Sequence, residues 1–390
     1  VFIGRQMFAT TEVIQAQPVI PSIVELPNFP KVIKEEKKSV DEINVEVDLS
    51  TLEVSVKGTT DAKVNVKTTG EPKPVVKWRT KTIEKEVIHY ESQFNGKKIL
   101  CNCDDPYESA FAKYFLKNFN KLKLKKLVCI SYSKSVMHTN KDDNGLILVV
   151  ENMPNELNNI SSDKAISKYL QKSGIVYKLK GDGDFRSEEC LEYLVDSDII
   201  VTNPPFSKFI ELFSLINKYN KKYLLISNQN AVTYKEIFPY IKNNLAFVGY
   251  HFGDMAFKVP LDTEPRKTRF WIDDNGQKWR SLGNAMWLTN LHVIRDNKKL
   301  KLEHIYDENK YFKYDNFDAI HVARVSEIPF DYYGIMGVPL TYLKYHNDDD
   351  FEIVGEANHG SDNEYDLFKP QINGKETFKR ILIKRRKRQR

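Results

Sequence analysis

The amino-acid sequence predicts an α/β fold in which a mainly parallel sheet is covered by helices on both faces. Two observations carry this. Between residues 97 and 242, short apolar runs alternate with amphipathic stretches, the pattern of a parallel sheet wrapped by crossover helices. The most polar turns, around Asp104-Asp105-Pro106, Gly181-Asp182-Gly183-Asp184 and Asn203-Pro204-Pro205, each follow an apolar run. They thus fall at the carboxyl ends of strands, where such sheets bind their ligands.

The elements follow in order. KKILCN (97–102) reads as a short strand running into the first acidic turn. YESAFAKYFLKNFNKL follows with Phe111, Tyr114, Phe115, Phe119 and Leu122 at helical spacing. KKLVCISY (125–132) is a second strand, and 133–170 holds a polar insertion and a short helix near AISKYLQ. GIVYKLKGDGD (174–184) is a strand ending in an acidic loop, and SEECLEYL (187–194) is a helix. DIIVTNPPF (198–206) is a strand that breaks into a turn, before helix SKFIELFSLINKY. KKYLLISN (221–228) and TYKEIFPYIKN supply a further strand and helix.

Flanking segments differ in texture. Residues 1–75 combine Pro18, Pro21, Pro27 and Pro30 with a charged run and then Val alternating with polar residues, which reads as a β-rich or partly ordered extension. Residues 76–253 form the catalytic domain on this reading, and 254–390 an α+β elaboration with a basic end, KRRKRQR. Within it, FWIDDNGQKW (270–279) predicts a hairpin turning at Asn275-Gly276.

Composition narrows the class. The 390 residues are 41% hydrophobic and 12% aromatic, enough for a sizeable core. Lys and Arg exceed Asp and Glu by 59 to 53, an excess of +6 that suits a polyanionic partner without requiring one. Cys101, Cys103, Cys129 and Cys190 form neither a CxxC pair nor a His-spaced set, so neither a zinc site nor a disulfide framework is expected. No run approaches the length that spans a bilayer, and the start lacks a secretion pattern, so a cytoplasmic protein is expected.

Three motifs carry chemistry. Prolines at 204 and 205 fix φ and remove backbone donors, so the turn presents carbonyl oxygens in a rigid array. With the Asn203 side-chain oxygen, these can accept both hydrogens of an exocyclic amine and free its lone pair for an electrophile. Phe206 offers a face on which a planar base can stack. An ordinary Pro-Pro turn is the structural alternative. Cys103, Asp104, Asp105 and Pro106 place carboxylates beside a helix start, where they can hold the ammonium and hydroxyls of a nucleoside-like cofactor. Asp-Pro surface turns are common, however. In GDGDFR, Asp182 and Asp184 beside Phe185 can hold an amino group, or form an Asp-Gly surface turn.

The runs CNCDDPYESAFAKYFLKNF, LKGDGDFRSEECLEYL, DIIVTNPPFS, NQNAVTYKEIF, GYHFG, MWLTNL, YDNFDAI, MGVPLTYL and NGKETFKR stand in order over roughly residues 83–383. Together they resemble the EcoRI-type adenine-specific DNA modification methylases. The resemblance implies a class I S-adenosylmethionine-dependent methyltransferase: Rossmann-like, with a mixed, mainly parallel seven-stranded sheet and a C-terminal target-recognition region. It implies S-adenosylmethionine as methyl donor, no metal, and double-stranded DNA as partner. A cognate restriction endonuclease acting separately, in a bacterial or phage-infected cell, goes with it. By the same resemblance Asn203, Pro204, Pro205 and Phe206 form the catalytic loop. Asp105, with Asp104 beside it, takes the methionine end of the cofactor, and Asp182 and Asp184 its adenine end. The family's acidic-aromatic stretch before the first strand is replaced by KWRTKTIEKEV.

The implied reaction flips adenine out of the duplex and attacks the sulfonium methyl in line through N6. Cytosine-C5 chemistry needs a Pro-Cys nucleophile, which is absent. Cytosine-N4 or RNA methylation uses the same loop, and a decayed methylase acting as a DNA-binding or virion-associated protein is the non-enzymatic alternative.

Overall fold

The computed structural model describes residues 42–48, 53–57, 63–69, 80–135, 143–157, 162–252, 255–259, 263–281, 283–293, 300–357 and 369–387. The chain forms two compact units, residues 1–76 and 77–390. In the first, β1 (Glu42–Asp48) pairs antiparallel with β2 (Glu53–Lys57) and parallel with β3 (Lys63–Thr69). The Val-alternating runs are therefore strands, as period-two patterning predicts. The proline-punctuated segment lies outside the described residues.

The second unit is built on one eight-stranded sheet. Its elements in chain order are α1 (Thr80–Val87), α2 (Glu91–Phe94), β4 (Lys98–Cys101), α3 (Ala110–Asn118), β5 (Lys126–Ile130), β6 (Leu146–Val150) and α4 (Asp163–Ser173). Then come β7 (Val176–Lys178), α5 (Glu188–Asp196), β8 (Ile199–Thr202), α6 (Phe209–Lys218), β9 (Lys222–Asn228), α7 (Phe238–Lys242) and β10 (Phe247–Phe252). Three short strands, β11 (Ala256–Lys258), β12 (Phe270–Ile272) and β13 (Lys278–Ser281), precede β14 (Ala285–Thr289). The sheet order is β10-β14-β9-β8-β4-β5-β6-β7.

The β4–β5, β4–β8 and β8–β9 pairs are parallel, whereas β6 and β14 run against both of their neighbours. The sheet is thus mixed, with most strands in one direction. Seven strands were expected, and eight are present. Five of them, β4, β5, β7, β8 and β9, were read as strands in the sequence; β10 and β14 were not, nor was β6, which lies in the segment read as a polar insertion. Its five apolar residues sit between polar flanks, a length at which an apolar run carries no periodicity signal.

Alternation along the strands divides the core between the two faces. Ile99, Leu127, Cys129, Ile199, Val201, Leu224, Ile226 and Trp287 pack under α1, α3 and α4. Leu100, Val128, Ile130, Ile200, Leu225, Met286 and Leu288 pack under α5, α6 and α7. This second core continues into a four-stranded sheet made of β15 (Ile320–His321), β16 (Ile335–Val338), β20 (Arg380–Arg385) and β17 (Phe351–Ala357), in that order 15-16-20-17. A small pair, β18 (Gln371–Ile372) and β19 (Lys375–Glu376), lies between β17 and β20 along the chain. Residues beyond 254 therefore supply both a strand of the central sheet and one wall of its core. The basic end is not a free arm throughout: Lys384 and Arg385 finish β20, and Arg386 pairs with Asp348 at 2.8 Å. Residues 388–390 lie outside the described residues.

α1 occupies the place of the altered KWRTKTIEKEV stretch, whose Trp78 and Arg79 lie outside the described residues. Its Glu86 is fully buried and compensates for an irregularity in β10. The β10–β14 register shifts between Val248 and Phe252. There the Glu86 carboxylate accepts from the Tyr250 and His251 backbone N–H groups, at 2.8 and 2.9 Å, and from the Tyr90 hydroxyl at 3.0 Å. Gly249 faces the same carboxylate: a Cβ there would lie 2.2 Å from Glu86 Oε1.

Candidate active site

Three turns converge at the carboxyl ends of the adjacent strands β5, β4 and β8. The central one leaves β4. Asp104 is buried and uses both carboxylate oxygens: Oδ1 accepts from Ser109 Oγ at 2.7 Å, and Oδ2 from Thr202 Oγ1 at 2.5 Å. The Asn203 backbone N–H also donates to it. Burial pushes its carboxyl up from 3.8 to about 6, against these donors, which favour the charged form. Ser109 in turn caps α3, accepting from Phe111 N–H at 3.0 Å and Ala112 N–H at 3.3 Å. One carboxylate therefore ties the β4 turn, the start of α3 and the turn after β8 into a unit.

Asp105, also buried, folds its own turn, accepting from the Tyr107 and Glu108 N–H groups at 2.9 and 3.1 Å. Asn102 is 2% exposed, and its Nδ2 donor has no partner among the described residues. A buried amide with an open donor beside two carboxylates is a polar cradle. Cys103 is half-buried. Burial pushes its thiol up strongly, and the neighbouring charges of Asp104 and Asp184 add to the shift.

That last influence puts the GDGD loop next to the β4 turn. The loop crosses the end of β5: Ser133 N–H donates to Asp182 O at 2.8 Å, and Gly145 N–H to Gly181 O at 2.9 Å. Gly183 has φ +80°, and a Cβ there would lie 2.1 Å from Ser131 O, so only glycine fits. Asp182 Oδ1 accepts from Asp184 N–H at 3.0 Å. Asp184 is held by Arg186 through two bonds, Nε to Oδ1 at 2.9 Å and an Nη to Oδ2 at 2.6 Å. The guanidinium keeps the Asp184 carboxyl below its ordinary value. Phe185 points into the core and is 6% exposed, so it is a packing residue here, not an open face.

The third turn leaves β8. Pro204 is buried and Pro205 exposed, and Lys208 N–H donates to Pro205 O at 2.8 Å, closing a 3-10 turn ahead of α6. Phe206 is 48% exposed, an apolar ring left in water beside Asn203. Arg186 also reaches Glu211 of α6 at 2.7 Å, and Glu211 accepts from Lys208 at 2.9 Å. A chain of charges thus joins the GDGD loop to the helix behind the proline turn.

The structure brings together Cys103, Asp104 and Asp184, and ties Asn203 to Asp104. It leaves Asp182 at the outer side of its loop, 4.0 Å from Lys134. Ser109, Thr202 and Asn102 were not singled out from sequence. Ser109 had a legible signal, a Ser directly before a helical apolar run. Thr202 had none, because its partner Asp104 lies 98 residues away, and Asn102 had none, because only burial sets it apart.

A family model described as adenine-specific methyltransferase EcoRI matches residues 77–387. The chain belongs to that family. Among curated relatives, the type II methyltransferase M.EcoRI of Escherichia coli is 41% identical over 311 residues, covering 78% of this chain and 91% of that protein. The type II methyltransferases M.MgeORF184P of Mycoplasma genitalium and M.MpnI of Mycoplasma pneumoniae are 37% and 34% identical, each over 70% of this chain and 79% of the relative. No solved structure gives a significant match. The EcoRI family match begins at the boundary between the two units, so the β1–β3 unit lies outside it. Among the described residues no helix is long and apolar enough to cross a membrane, and no group of His, Cys, Asp and Glu is arranged to hold a metal ion.

Proposed function

We propose that this chain transfers a methyl group to N6 of adenine in duplex DNA at a specific sequence, with S-adenosylmethionine as donor. The observation that carries the proposal is the Asn203-Pro204-Pro205-Phe206 turn, clamped through Asp104 to the acidic turn of β4 in a member of the EcoRI family. In a target base rotated out of the stack, the exocyclic amine would meet the Asn203 side-chain oxygen and the turn's carbonyls, while Phe206 stacks on the ring. The Thr202–Asp104 bond and the Lys208–Pro205 bond favour this role by holding the turn rigid before any substrate arrives.

The cradle of Asn102, Cys103 and Asp105 fits the polar methionine end of S-adenosylmethionine, and the loop of Asp182 and Asp184 its adenosine end. Bound there, the donor supplies an electrophilic sulfonium methyl, and the protein has only to orient and desolvate. Asp104 is the exception among the predicted ligands. With both oxygens engaged, it serves as the brace between cofactor turn and base turn. Residues 76–253 on this reading carry catalysis and 254–390 target recognition, in the cytoplasm of a bacterial or phage-infected cell, with a separate nuclease as partner.

The test is labelled methyl transfer from S-adenosylmethionine to duplex DNA, followed by nucleoside analysis. N6-methyladenine is the expected product, and N4-methylcytosine or an RNA product would replace this reading. Asn203→Ala is expected to abolish transfer while retaining DNA. Loss of both together would count against the assigned role of the turn.

A further inference from the structure

Asp104 ties the front of the Asn203 turn to the acidic turn of β4. The back of the same turn reaches the GDGD loop through four charges of alternating sign, Asp184, Arg186, Glu211 and Lys208. Arg186 forks between two carboxylates. Its Nε and one Nη take Asp184, and the other Nη donates to Glu211 Oε2 at 2.7 Å. Glu211 Oε1 accepts from Lys208 Nζ at 2.9 Å, three residues earlier at the start of α6. Lys208 closes the 3-10 turn onto Pro205 O and stands two residues after Phe206.

Asp184 keeps one place open. Its Oδ1 accepts twice, from the Arg186 backbone N–H and from Nε, both at 2.9 Å, and its Oδ2 once, from an Nη at 2.6 Å. An ionised carboxylate offers about four acceptor positions, two on each oxygen. Among the described residues, the position left over is on Oδ2. With the GDGD loop read as the adenosine site, the exocyclic amine of the cofactor's adenine is the donor that fills it. Oδ2 would then be shared between the cofactor and the guanidinium that leads to the Asn203 turn.

The fork is fixed from behind, because the Arg186 guanidinium lies 5.7 Å from the ring centroid of the buried Phe185. Lys208, and after it Arg186, holds the Glu211 carboxyl below its ordinary value. A single pair as exposed as Arg186 and Glu211, at 49% and 44%, contributes little by itself. A chain with a bidentate clamp at one end differs, because its members must keep one geometry together. Without the Glu211 charge, Arg186 and Lys208 would face each other as like charges with no carboxylate between them. Lys208 would then turn toward water and loosen Phe206 to Lys208 with it.

We infer that Arg186 and Glu211 are positioning residues through which an occupied adenosine site tightens the base turn. A cofactor amine on Asp184 Oδ2 pins that carboxylate, and with it the Arg186 fork, Glu211, Lys208 and the back of the turn. Coupling of this kind works by loss of freedom and needs no change of shape. The Asp104 brace holds Thr202 and Asn203 beforehand, and the charge chain adds Phe206 to Lys208 once the methyl donor is in place. A base rotated out of the duplex then meets a finished pocket. This inference rests on the reading of the GDGD loop as the adenosine site of S-adenosylmethionine.

The test is amide hydrogen exchange of the full chain with and without saturating S-adenosylhomocysteine, the demethylated form of the donor. In wild type the ligand is expected to slow exchange over residues 206–211 about fivefold, the low end of coupling between sites. Glu211→Gln should cut that slowing to under about twofold, while residues 181–186 stay protected and calorimetric affinity for the ligand stays within about threefold of wild type. Lys208→Gln should do the same, and the double variant should be no worse than either, since both cut one chain. Melting temperatures within about 2 °C of wild type report an intact fold in each variant. Equal slowing over 206–211 in wild type and Glu211→Gln overturns the inference, and so does a wild-type turn indifferent to the ligand. A ligand that fails to bind, or binds without protecting 181–186, overturns both the inference and the site reading beneath it. The measurement needs neither DNA nor methyl transfer. A protein that passes it but methylates no adenine therefore sinks the proposed function and leaves the charge chain's role standing.

Discussion

Removing the Asp104 carboxylate is the most direct probe of how the site is assembled. Three buried donors converge on it: the Ser109 and Thr202 hydroxyls and the Asn203 backbone N–H. A hydrogen bond to a charged group contributes about 1.5–3 kcal/mol, and orphaning a buried donor costs a similar amount. Three such bonds would sum to about 6 kcal/mol. Desolvation of the carboxylate opposes them. It prevails: with all three donors in place the carboxyl still stands at about 6 against 3.8, a net cost of about 3 kcal/mol for the charged form at 1.36 kcal/mol per unit. The loss expected for Asp104→Ala comes from the three donors it orphans and is about 3 kcal/mol, at about 1 kcal/mol each, read as a drop in the urea midpoint of the full chain.

The isosteric Asp104→Asn separates shape from charge. A carboxyl whose folded value lies above its unfolded one favours the protonated folded state. Its stabilising contribution is complete below about pH 4 and is lost as pH rises through about 6. Asp104→Asn does not titrate, so its stability should gain on wild type between pH 4 and 7, by up to about 3 kcal/mol. Methyl transfer by Asp104→Ala should fall more steeply than its S-adenosylmethionine affinity, because the Asn203 turn loses its brace. An Asp104→Ala protein within about 1 kcal/mol of wild type, with unaltered transfer rate, would refute the reasoning.

Further outcomes follow from other contacts. Phe206→Ala should weaken productive base binding by about 1–3 kcal/mol, seen as a rise in KM for duplex DNA with little change in S-adenosylmethionine affinity. Gly183→Ala should destabilise by about 2–3 kcal/mol, since its Cβ would meet Ser131 O at 2.1 Å in a positive-φ backbone; thermal unfolding measures it. Gly249→Ala should be at least as damaging, its Cβ falling 2.2 Å from the buried Glu86 carboxylate and 2.6 Å from Trp287 Cβ, with expression of soluble protein as the readout. Arg186→Met frees Asp184, whose carboxyl lies below its ordinary value. The stability that this ion pair adds is present above about pH 4 and lost below it, so the wild-type advantage over Arg186→Met in melting temperature should vanish in acid.

How much of this was legible beforehand differs by element. Strands β4, β5, β8 and β9 and helices α3, α5 and α6 were readable because each carries a local signature: an apolar run, helical spacing of Phe111, Tyr114 and Phe115, or a Ser before a helix. The three polar turns could be placed at strand ends for the same reason, and the order of motifs along the chain sufficed to name the family. β6 escaped because five apolar residues in a polar neighbourhood have no period to detect. α7 proved to be only five residues, its pattern overridden by the turns on either side.

What only the tertiary structure decided is which groups meet. Asp104 and Asp105 are adjacent and chemically identical, yet one braces Thr202, 98 residues away, while the other folds its own turn. Glu86 is one of several charges in KWRTKTIEKEV that nothing in the sequence sets apart, yet it is buried against a bulge 164 residues later. Likewise β14 lies between β9 and β10, far from its place in the chain order, and only packing puts it there. Propensity and periodicity are local, short-range properties of the chain, and they determine elements. Burial, hydrogen-bond partnership and the shift of a carboxyl to about 6 are properties of neighbours brought together by packing, and no window of sequence contains them.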